Sequence, residues 1–129
     1  MDPAPQLTDA LRWLPAVCWM GGVFYLSHQS TPLGVEAGAS RAALAHLVLY
    51  GGLAALIYWP LASRSAKVAW ATMAVSFALA VLYGVTDELH QAFIDGRVAS
   101  ETDLLIDAAG AVAGVIGAVL LRSLSRRVQ

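Results

Sequence analysis

The segment Asp87-Glu88-Leu89-His90-Gln91 puts two carboxylates, an imidazole and an amide into five consecutive positions. A carboxylate beside a histidine can hold and move a proton. Carboxylates with histidine also supply donors for a hard or mixed metal site, and a group of acids can bind an amine. At helical spacing, Tyr83, Asp87, His90 and Gln91 fall within about 80° of one another, with Glu88 about 60° beyond Gln91. Downstream, Asp103 and Asp107 head a line that continues through Gly110, Gly114 and Gly117, so acids and glycines share one helix face. Upstream, His46 and Tyr50 stand four apart, one above the other. Arg97 is placed to pair with one of the acids. The candidate ligand-binding set is therefore His46, Tyr50, Tyr83, Asp87, Glu88, His90, Gln91, Arg97, Asp103 and Asp107. Asp87, Glu88 and His90 are the candidates for catalysis. No recognised nucleophile or zinc signature accompanies them, so no cofactor is expected, a divalent metal being the one exception the residue types allow.

Each of these residues also has a plainer role. Ser100-x-x-Asp103 approximates a capping box, and an acid suits a helix N-terminus. Asp107 lies a turn deeper, where capping does not explain it. His46 could be a hydrogen bond between helices, and His28 a solvated loop residue. Glycines at Gly110-x-x-x-Gly114 let another backbone approach closely. Packing of that kind would hold Asp103 and Asp107 near the polar end of the preceding helix.

The elements that must position these side chains are membrane helices. Of 129 residues, 58% are hydrophobic and 13% charged, about half the charged share of a soluble domain. A spanning helix needs roughly 20 mostly apolar residues, and four stretches qualify, at about 11–27, 42–61, 68–92 and 103–121. The expectation is an all-α integral membrane bundle of four helices forming one domain over 1–129. The first stretch is short and requires Arg12 to snorkel. It lacks the basic start of a signal peptide, since Asp2 and Asp9 stand there. Tyr25, Trp59 and Trp70 lie near span ends, as interfacial aromatics do.

Charge orients the bundle. One side receives Glu36, Arg41, Asp87, Glu88, Asp95, Arg97, Glu101, Asp103 and Asp107, seven acids against two bases. The other carries Arg12, Arg64, Lys67, Arg122, Arg126 and Arg127 against Asp2 and Asp9. By the positive-inside rule both termini are cytoplasmic and the polar cluster is extracytoplasmic. No basic tract with interleaved aromatics supports nucleic-acid binding. The single cysteine, Cys18, excludes an internal disulfide and reads as a small apolar residue.

The pattern Asp87-Glu88-x-His90-Gln91-x-Phe93-x-x-Gly96-Arg97, followed by Asp103, Asp107, Gly110 and Gly114, resembles the VanZ-like family, named for the teicoplanin resistance protein VanZ. Ser27-His28-Gln29-Ser30 is similar to a Ser-x-Gln-Ser stretch after the family's first helix. His46, Tyr50 and Gly51 match a His-x-x-x-Tyr-Gly pattern on its second. Asp95 stands where members often have proline, and Asp107 where many have asparagine. The resemblance implies a small multi-pass protein of the bacterial cytoplasmic membrane. It is silent on reaction.

Three functions remain open to sequence. The first is an accessory envelope or glycopeptide-resistance protein that binds a lipid or an amine-bearing ligand. The second is a membrane-embedded enzyme, metal-dependent or not, acting on an envelope lipid or lipid-linked intermediate. The third, an ion-coupled carrier, needs polar groups along a path, and these cluster at one end only. Membrane lipids are expected partners in each case, and homo-oligomerisation is left open.

Overall fold

The structure, a computed structural model, describes residues 4–30, 38–63 and 70–127, all of whose regular elements are helices. Asp2, the loop residues Thr31, Pro32 and Glu36, and the basic linker residues Arg64 and Lys67 lie outside the described residues. The helices are α1 (Ala4–Leu11), α2 (Leu14–Ser27), α3 (Ala39–Ala62), α4 (Trp70–Gln91) and α5 (Glu101–Ser125). Among the described residues, α3, α4 and α5 are long and apolar enough to cross a membrane.

The N-terminal region departs from the expected single stretch over 11–27. The chain turns at Arg12 and Trp13, and α2 restarts with a proline in its first turn. A proline there sacrifices no helical hydrogen bond. The 14 residues of α2 rise about 21 Å, short of a hydrocarbon core about 30 Å thick. The fourth helix of the bundle is thus a shorter element that packs on α3 and α4.

Lipid offers no hydrophobic drive for helices to associate, so close packing of small residues must supply contact. Here it does so between α3 and α5. A Cβ on Gly110 would run into the Leu47 carbonyl, and one on Gly114 into the Gly51 carbonyl. A Cβ on Gly51 would stand 3.0 Å from the Gly110 oxygen. The glycine line therefore seats α5 on α3, whereas sequence pointed to an approach toward α4. Gly117 takes no part, because a Cβ there meets nothing within 4 Å. Around this seam Tyr50, Leu53, Ala54, Ile57, Ala80, Ala111 and Val115 form the core. Leu44, Val48, Leu82, Leu105, Ile116 and Leu120 face outward, as lipid-facing residues do. Tyr25, Trp59 and Trp70 are exposed too.

The two ends of the bundle differ in charge. At one end, the Arg12 guanidinium donates to the Ser63 hydroxyl at 3.0 Å, and Arg122 donates to the Ala62 carbonyl at 2.7 Å. The opposite end gathers the C-termini of α2 and α4 and the N-terminal halves of α3 and α5, and it holds the buried acids. The α4–α5 turn is closed by Gly96, whose φ of 80° is left-handed and suits glycine.

Candidate functional site

α4 ends on Asp87, Glu88 and Gln91, all three buried. The helix dipole favours cations at a C-terminus, so these two carboxylates sit where the backbone field opposes them. The surrounding side chains answer only part of that charge. One oxygen of Asp87, Oδ2, accepts from Ser27 Oγ at 2.6 Å, Tyr50 Oη at 3.0 Å and Gln91 Nε2 at 2.9 Å. Gln91 is held in turn by Arg97, which donates to its Oε1 at 2.8 Å. Arg97 thus reaches the amide, in place of the expected pairing with an acid.

Glu88 completes the start of α5. Ser100 Oγ accepts from the Asp103 backbone N–H at 3.2 Å, and the Ser100 N–H donates to Glu88 Oε2 at 2.8 Å. In a capping box the second bond comes from the residue three positions on. Here a carboxylate from another helix provides it, and Asp103 contributes its backbone N–H.

Asp107 is fully buried one turn into α5. Its Oδ1 lies 2.9 Å from His46 Nδ1, and His46 stacks beside Tyr50 with ring centroids 6.2 Å apart. Gly84 of α4 makes room for it, since a Cβ there would stand 3.2 Å from Asp107 Oδ2 and 3.3 Å from the Tyr50 ring. Helices α3, α4 and α5 therefore converge on one acidic core. His46, Glu88 and Asp107 each offer a metal-donor atom there, all within 4.8 Å of one another. Among the described residues, Asp87 Oδ1, Glu88 Oε1 and Asp107 Oδ2 are buried with no hydrogen-bond partner.

Two sequence candidates turn away from this core. Tyr83 donates to the Met20 carbonyl of α2 at 2.7 Å, which ties α4 to α2. His90 stacks on Phe24, centroids 4.7 Å apart, and its Nε2 lies 3.3 Å from His28 Nδ1. The histidine that meets a carboxylate is His46, so the expected pairing of His90 with an acid is replaced. Helical angles alone grouped Tyr83, His90, Asp87 and Gln91 on one face. α2 packs against part of that face and draws the first two aside. Glu88, placed at the edge by angle, lies in the centre because α5 starts over it. His28 is a rim residue paired with His90 and not merely a solvated loop group. Ser27 and Gly84 had no place among the candidates. The signals for them were the Ser27-His28-Gln29-Ser30 stretch at the end of an apolar helix and a glycine next to Tyr83.

Buried acids at one end of an apolar helix bundle, three of whose described helices are long enough to span a membrane, define a small helical membrane protein with a polar site at one face. Residues 41–122 match the VanZ/LLP1 family, and the chain belongs to that family. The match runs from the first turn of α3 to the last turns of α5, so it takes in His46, the α4 acids and Asp107. The Ser27–Ser30 stretch lies outside it. No curated protein and no solved structure matches the chain.

Proposed function

We propose that this VanZ-like membrane protein is an accessory component of the bacterial cytoplasmic membrane that binds a positively charged group of an envelope ligand at its extracytoplasmic end. The observation that carries this reading is the set of three buried carboxylate oxygens without a partner. An ionised oxygen out of water and without a donor is costly, so an incoming cation is favoured. The placement outside the cell is supported by the six described acids against two bases at that end and by the positive-inside rule. With α1 and α2 together carrying the chain across as a fourth pass, both termini are then cytoplasmic. An amine-bearing lipid headgroup or a glycopeptide such as teicoplanin has the required chemistry, and binding it would contribute to resistance.

The test is binding of teicoplanin and of phosphatidylethanolamine to the protein in nanodiscs of a lipid without amines. Asp87→Asn should weaken binding about tenfold or more, the scale of one lost charge-assisted contact. Binding indifferent to neutralisation of Asp87, Glu88 and Asp107 would remove the proposal. A membrane-embedded, metal-dependent enzyme acting on an envelope lipid is the second reading, favoured by the convergence of His46, Glu88 and Asp107.

A further inference from the structure

We infer that His46, Glu88 and Asp107 form a binding site for a divalent transition-metal ion between α3, α4 and α5. The inference rests on the reading of this end as cation-binding and names the cation its inner part takes. Three helices each supply one donor, and the donor atoms lie within 4.8 Å of one another. The 2.9 Å between His46 Nδ1 and Asp107 Oδ1 matches the spacing of adjacent ligands around an octahedral ion with bonds of roughly 2.0–2.2 Å, whereas a tetrahedral ion needs about 3.4 Å.

The second observation is independent of that clustering. Glu88 is 6% exposed and Asp107 0%, and each keeps one buried oxygen, Oε1 and Oδ2, with no donor among the described residues. The obvious cation in reach, Arg97, donates to Gln91. Charge then selects the valence. Two carboxylates and an imidazole are balanced by one divalent ion, whereas a monovalent cation leaves one negative charge buried.

The donor set selects the metal. Calcium takes six to eight oxygens, and magnesium keeps most of its water. An imidazole nitrogen with two carboxylates suits zinc, manganese or ferrous iron. The donors are also held from behind, as ligands of a built site are. Ser100 N–H fixes Glu88 through Oε2, Gly84 leaves the space for Asp107, and Tyr50 stacks on His46. Asp87 stands apart, with Oδ2 taken by three donors and Oδ1 still open, and is the carboxylate left for an amine.

The experiment strips detergent-purified full-length protein with a chelator, reloads it with zinc or manganese against excess magnesium and calcium, and reads metal per chain by elemental analysis. The expected result is about one transition-metal ion per chain, coordinated by nitrogen and oxygen in X-ray absorption, with a raised melting temperature. Glu88→Gln and Asp107→Asn should each weaken binding by about a hundredfold or more, beyond the effect of losing an outer-shell partner. Asp95→Asn, an exposed acid of the α4–α5 turn, should leave it unchanged. Folded wild-type protein that retains no transition metal overturns the inference, as does metal retained equally by Glu88→Gln and Asp107→Asn. Should those variants fail to fold, absorption spectra of the wild type lacking an imidazole ligand overturn it instead. Loss of amine binding in Asp87→Asn with metal binding intact leaves both readings standing. Metal bound without any amine or glycopeptide binding removes the proposed function alone, and the reverse pattern removes the metal site alone.

Discussion

The two ends of this bundle both bury charge, and they treat it differently. At the basic end, Arg122 is 7% exposed and still finds partners, the Ala62 carbonyl at 2.7 Å and the Tyr58 hydroxyl at 3.4 Å. A guanidinium at the C-terminus of α3 also meets the favourable pole of that helix. That end satisfies itself from within the chain. The acid end buries three carboxylates and leaves one oxygen of each without a partner among the described residues. Two of those acids sit at the C-terminus of α4, where the dipole opposes them. Structural charges are normally satisfied where they are buried. On the proposed reading, charges left short of partners mark the end that receives the ligand.

The seam that carries both ends gives the largest expected effect. Gly114→Leu puts a side chain where the Gly51 carbonyl of α3 already stands. Overpacking on backbone cannot be relieved by a rotamer, so the loss should reach about 3 kcal/mol or more. Gly117→Leu, on the same face with nothing within 4 Å, should change stability by less than about 0.5 kcal/mol. Thermal unfolding in detergent, followed by helical circular dichroism, compares the pair. Equal melting temperatures would mean that α3 and α5 do not meet through glycine.

Neutralising charge at each end tests the contrast directly. Arg122→Leu strips the Ala62 carbonyl of its donor and should destabilise the protein by about 2 kcal/mol. Glu88→Gln keeps an oxygen to accept from Ser100 N–H while removing a buried charge that lacks a full set of partners. In metal-free protein it should leave the melting temperature unchanged or raise it, because sites kept for binding are commonly held at a cost in stability. With metal present the order should reverse. A large loss from Glu88→Gln in metal-free protein would make the acid end structural, like the basic one.

How much of this was legible beforehand depends on which interaction places each residue. Composition and apolar runs marked α3, α4 and α5, because in lipid a span must be a long apolar helix. The N-terminal break escaped that logic. It falls beside Pro15, and an apolar run looks the same whether its helix is continuous or broken. The site followed the same division. Asp87, Glu88, His46 and Asp107 could be nominated by type, because buried ionisable groups are expensive. Their partners could not. Helical angle grouped His90 with Asp87, and only the position of α2 shows His90 turning to His28 and Phe24. Of the glycine line, Gly110 and Gly114 do meet another helix, α3 and not α4, while Gly117 meets nothing within 4 Å, since periodicity says which face is smooth and not what lies against it.

The smallest expected effects come from two serines, one at each end. Ser27 Oγ donates to Asp87 Oδ2 at 2.6 Å, and Tyr50 and Gln91 donate to the same oxygen. Ser27→Ala leaves two donors in place and no buried donor stranded, so the loss should be about 1 kcal/mol. Ser63 at the basic end accepts from Arg12 and donates to the Pro60 carbonyl, in a half-exposed setting where water can replace both bonds. Ser63→Ala should cost less than about 0.5 kcal/mol. Beyond stability, Ser27 anchors the end of α2 to the carboxylate that the proposed amine would reach, so its loss should weaken ligand binding while Ser63→Ala leaves it unchanged. Denaturant titration and nanodisc binding, run on both variants, separate the two roles. If the serines prove interchangeable in both measurements, Asp87 is an ordinary buried acid and the two ends differ only in sign.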